Sequence, residues 1–168
     1  MAENQLVVEP AKAAQESAKS GIVYQTTIRE SVSISGIGLH TGASVTLTFK
    51  PAPENHGYKF CRIDMPGSPV VEADVDNVTD TERGTTISKN GARVSTIEHV
   101  LAALAGMEID NVMMEIDGPE APILDGSSRP FMEVLDKAGI VQQKEERYYY
   151  TLSEVLTLTP GLGEAYTP

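Results

Sequence analysis

Between Ser31 and Val78 the chain alternates apolar and polar residues with a period of two, in the runs SVSISGIGL, ASVTLTF, YKFCRIDM and VVEADVDNV. Successive side chains of a strand point to opposite faces, so this pattern commits four segments to strands with one buried side. Gly, Pro, Asn and Asp separate the runs and supply the turns. A further hairpin is expected at TTISKNGARVS, where Asn90 and Gly91 provide the positive φ angles of a tight turn between twisted strands.

The pattern then switches. STIEHVLAALAG reads as an amphipathic helix with Ile97, Val100, Leu101 and Leu104 on one face. DNVMMEI follows as a strand, and SSRPFMEVLDKAG as a second helix with Pro130 near its start and Gly139 near its end. Strands, helix, strand, helix is the order of an α+β fold, here a two-layer domain whose mostly antiparallel sheet is covered on one face by two helices. With 168 residues the chain can bury such a core without disulfides, and the single cysteine, Cys61, excludes a disulfide framework and fits a reducing cytoplasm. Residues 1–23 read as a mobile extension, 24–141 as the domain, and 142–168, opening with the charged connector QQKEER, as a linker and the first strand or strands of something further.

Charge and hydropathy exclude whole classes of function. Twenty-four acidic against thirteen basic residues, a net charge of −11, oppose a nucleic-acid surface, which needs clustered Lys and Arg. No segment approaches the roughly 20 apolar residues of a transmembrane helix, and the N-terminus lacks the pattern of a signal peptide.

Chemistry centres on Glu98 and His99, adjacent in the first turn of the first expected helix. Two readings stand side by side. With Ser95 as N-cap, S-T-I-E is a capping box, and Glu98 bonds back to the Ser95 amide. Alternatively Glu98 is a catalytic base and His99 a metal ligand, its ring kept neutral by the positive helix end. Ala102 and Ala103 follow one turn on and leave room for an approaching group. His40 in GIGLHTG and His56 in PENHGY are further candidate ligands without ligand spacing, and HExxH, paired CxxC, P-loop and GxSxG motifs are absent. GIGLHTG itself reads as two strands joined by a glycine turn, and DGSSRP as a helix cap using Asp125 or a serine.

Taken in order, GIGLHTG, FKPAPENHGY, DTERGTT, STIEHVLAALAGMEIDN and EAPILDGSSRPF resemble the N-terminal half of the zinc-dependent UDP-3-O-acyl-N-acetylglucosamine deacetylases, from about Thr27 to Ile140. The wording RGTTISKNGARVSTIEH also resembles the Bacteroidetes type, fused to a hydroxyacyl-carrier-protein dehydratase. The resemblance implies a cytoplasmic Zn²⁺ hydrolase of lipid A biosynthesis in Gram-negative bacteria that releases acetate from UDP-3-O-acyl-N-acetylglucosamine. It implies Glu98 as general base and His99 as one zinc ligand. It also implies a second domain supplying an H-x-x-x-D ligand pair and a histidine acid, together forming a two-domain sandwich of which this chain holds the first half. No histidine follows His99, so the chain alone is expected to be inactive or nearly so. The competing expectation is a noncatalytic sugar-nucleotide-binding or interaction module.

Overall fold

The computed structural model describes residues 7–9, 22–149, 151–153 and 155–157. They fall into two compact units, one of residues 1–22 with 148–168 and one of residues 23–147. In chain order the strands are β1 (Val7–Glu9), β2 (Tyr24–Ile28), β3 (Val32–Ile37), β4 (Ser44–Pro51), β5 (Tyr58–Arg62) and β6 (Val70–Glu72). Then come β7 (Val78–Asp80), β8 (Thr86–Lys89), β9 (Ala92–Val94), α1 (Glu98–Gly106), β10 (Val112–Ile116), α2 (Arg129–Ala138), β11 (Ile140–Glu146) and β12 (Val155–Thr157). In the first unit β1 and β12 pair antiparallel. Residues 1–6, 10–21, 150, 154 and 158–168 of the expected N-terminal extension and C-terminal segment lie outside the described residues.

The second unit is the α+β domain that the element order predicts. Its main sheet runs β3-β4-β10-β5-β6, antiparallel except for the central β10–β5 pair. A parallel neighbour needs a crossover, and α1 is the helix that returns the chain to β10. Period-two patterning decides the faces: Val45, Leu47 and Phe49 of β4 and Val112, Met114 and Ile116 of β10 are buried. Met114 sits in register between Phe49 and Phe60, and all three are fully enclosed in one cluster with residues of both helices. The opposite face is hydrophilic, with Ser33 and Ser35 bonded to Thr48 and Thr46 and Lys50 paired with Glu115.

The NG hairpin forms as expected, with Asn90 at φ 52° and Gly91 at φ 80° between β8 and β9. Helix α2 also runs as expected, with Pro130 in its first turn and Gly139 at its C-cap. Before it, Asp125 accepts from the amide and hydroxyl of Ser127, whose oxygen in turn accepts from Arg129 N at 3.2 Å. The serine thus reaches the helix amide, and Asp125 acts one step removed.

Three local expectations are overturned. VVEADVDNV is two strands in different sheets, divided by a 3₁₀ turn at Val75–Asn77. Asp74 accepts from Asp76 N and Asn77 donates to Glu72 O, local bonds that compete with an extended ladder. QQKEER is no free connector, because β11 runs through it and pairs with β2, itself unanticipated as a separate strand. Gln143 turns inward there, donating to Ala52 O and accepting from Asn111, which also donates to Gln25. Finally, the buried side of α1 is rotated from the expected one: Ala103 is fully buried with Val100 and Leu104, while Leu101 is only half-buried. Among the described residues no helix is long and apolar enough to cross a membrane.

Candidate functional site

The segment leading into α1 sets the site. Ser95 is extended and bridges Glu120 in parallel, its N–H donating to Pro119 O at 2.9 Å and its carbonyl accepting from Ala121 N at 3.0 Å. Thr96 then takes a left-handed conformation, φ 57°, and the helix begins at Glu98 with Ile97 as a cap that offers no side-chain bond. The capping box is therefore overturned. The Ser95 amide is committed to Pro119, and Glu98 Oε2 accepts from Thr85 N at 3.0 Å instead.

Glu98 Oε1 is left without a hydrogen-bond partner among the described residues. It lies against Gly84, where a Cβ would come within 3.1 Å of it. Glu98 and His99 are both half-buried in the first turn of α1. Ala102 stands exposed on the following turn as expected, whereas Ala103 belongs to the core and leaves no room.

Beside this turn is a cavity of about 440 Å³, lined by His40, Thr41, Arg83, Gly84, Thr96 and Glu120 among others. Glu98 and His99 are outside its lining, and cavity and pair meet at Gly84 and Thr96. Glu120 lines the cavity and is only 1% exposed. Its carboxylate accepts from His40 N at both oxygens (3.0 and 3.1 Å), from Thr41 N and Oγ1 (2.8 Å each) and from Thr96 Oγ1 (2.8 Å). Burial pushes its pKa up, but these bonds outweigh burial and hold it below the ordinary glutamate value.

The glycine turn GIGLHTG forms between β3 and β4 as expected, and its tight packing is visible at Gly38, where a Cβ would lie 2.5 Å from Glu120 Oε2. The His40 ring reaches Arg83 O through Nε2 at 3.1 Å. His56 lies in a different hollow with Tyr58, Lys59 and Lys89, its pKa lowered by burial and then by Lys59. The three histidines do not converge. Among the described residues no group of three or more His, Cys, Asp or Glu could hold a metal. His99 alone falls short of the roughly three protein ligands of a catalytic zinc, so these residues do not complete such a site. Glu120 and Thr96 escaped the sequence reading because their partners are distant in the chain; the Pro residues flanking E-A were the only local signal.

Fold and site together define a two-layer α+β domain that presents a carboxylate and an imidazole at a helix N-terminus beside a cavity, with no metal-binding cluster among the described residues. The chain belongs to the UDP-3-O-acyl N-acetylglycosamine deacetylase (LpxC) family, whose model matches residues 25–165. It is 49% identical over 131 residues to a bifunctional enzyme LpxC/FabZ of Bacteroides thetaiotaomicron, covering 78% of this chain and 28% of that one. To the bifunctional enzyme LpxC/FabZ of Chlorobaculum tepidum it is 50% identical over 135 residues, 80% of this chain and 29% of the relative. A UDP-3-O-acyl-N-acetylglucosamine deacetylase of Bdellovibrio bacteriovorus is 45% identical over 142 residues, 84% and 47% of the two chains. The chain thus spans from about a quarter to about half the length of these relatives. The resemblance read from the five motifs is borne out, including the likeness to the fused type.

Proposed function

We propose that the protein to which this chain belongs hydrolyses the acetamide of UDP-3-O-acyl-N-acetylglucosamine, releasing acetate, in lipid A biosynthesis in the cytoplasm of a Gram-negative bacterium. The observation that carries the reading is Glu98, a half-buried carboxylate whose Oε2 is fixed by Thr85 N while Oε1 stays open to another group. Glu98 is the general base: Oε1 takes a proton from water, the oxygen adds to the acetyl carbon, and breaking the C–N bond frees the amine. The family resemblance assigns the proton for that amine to a histidine outside the described residues. His99 is one zinc ligand, the others coming from outside the described residues. Zinc, when bound, supplies Lewis acidity that makes water more acidic and polarises the amide carbonyl. Held by one imidazole, zinc binds the 168-residue chain weakly, and turnover by that chain alone is expected to be slight.

The test is made in the full-length protein. Glu98→Ala is expected to lower kcat roughly 10²- to 10⁴-fold with zinc content unchanged, and His99→Ala to lose zinc in elemental analysis of the purified protein. Undiminished turnover in Glu98→Ala removes the base from this reading. For the noncatalytic module the capping box no longer accounts for Glu98, and the bond from Thr85 N takes its place as a structural role. It would be recognised by UDP-sugar affinity that survives both substitutions with no turnover in the parent.

A further inference from the structure

We propose that Glu120 is a positioning residue, whose buried carboxylate gathers the His40–Thr41 turn and Thr96 onto one anchor and so sets where α1 presents Glu98. It rests on the reading of Glu98 as base. Every group that faces Glu120 is a donor: two backbone amides and two hydroxyls. A backbone N–H faces each oxygen, so a carboxylate accepts at both, whereas an amide would turn an NH₂ group toward a backbone N–H on one side.

The anchor itself is fixed by backbone. Ser95 N bonds to Pro119 O and Ala121 N to Ser95 O, so the main chain on either side of Glu120 is tied to the residue before Thr96. The carboxylate then holds Thr96 by its hydroxyl, at 2.8 Å, in a left-handed conformation that costs a threonine about 1–2 kcal/mol and persists only where its surroundings impose it. One residue, Ile97, separates Thr96 from Glu98. From Glu98 the bond to Thr85 N continues to the Arg83–Gly84 wall of the cavity, and the His40 ring meets that wall from the other side through Arg83 O. A shift of Thr96 therefore moves the base and the Arg83–Gly84 wall together.

In the full-length protein, Glu120→Gln is expected to lower kcat roughly ten- to a hundredfold, the scale of loss from a slightly misplaced group. Hydrogen exchange at the Thr85 amide should speed up while the amides of β4 and β10 keep their protection. In the Glu98→Ala background the same change should cost nothing more, because it acts through Glu98. Should Glu120→Gln not fold, Thr96→Val removes a single hydroxyl, spares the other bonds to Glu120, and is expected to give the same pattern at smaller size. The proposal is overturned if Thr85 exchange is unchanged, or if kcat falls equally with and without Glu98. Full turnover in Glu98→Ala alone would remove the base while Thr85 exchange still judged the anchor.

Discussion

Glu120 makes the site sensitive to acid. Its folded pKa lies below its unfolded one, so its stabilising contribution is present above the ordinary glutamate value of about 4.3 and is lost as pH falls through the folded value. The urea midpoint is expected to drop as pH falls below the ordinary glutamate value, and Glu120→Gln, itself destabilising by about 1–3 kcal/mol at neutral pH, should flatten that dependence. An equally steep dependence in Glu120→Gln would place the acid-labile group elsewhere. At this scale the sequence was half informative. Glu98 and His99 were legible in the first helical turn, because adjacency on a helix is local. The capping bond was misread because Ser95 is claimed by Pro119 from a distant segment, and no local propensity encodes that claim.

Elements were legible where a turn residue enforces them. Gly91, at φ 80°, occupies a conformation that a β-branched residue resists, so Gly91→Val is expected to lower unfolding stability by about 1–2 kcal/mol in chemical denaturation. A neutral result would mean that β8 and β9 are held by packing alone. Helix α2, with Pro130 in its first turn and Gly139 at its C-cap, was read to within two residues of its ends. β11 was missed for the opposite reason: its inward positions include Gln143, a polar residue satisfied by Ala52 and Asn111, so hydrophobic alternation fades just where the strand is paired. The division of β6 from β7 was hidden by an apolar count that ignored the turn chemistry of Asp74 and Asn77.

For the domain of residues 23–147 as a whole, the two-layer arrangement followed from the order of elements, while the parallel β5–β10 pairing did not. It is set by the crossover through α1, which only the assembled fold reveals. Met114 between Phe49 and Phe60 is the centre of that assembly, and Phe60→Ala is expected to cost about 3–5 kcal/mol by urea unfolding. That is a large share of the 5–15 kcal/mol typical of a domain. A cost below about 1 kcal/mol would show that the core collapses into the space.

The pairing of β2 with β11 joins Ile28 to Ile140, partners more than a hundred residues apart. During synthesis β2 leaves the ribosome on the order of ten seconds before its partner, at ordinary elongation rates. Through that interval the nascent chain carries an open strand edge, and the domain closes late, when its two ends meet.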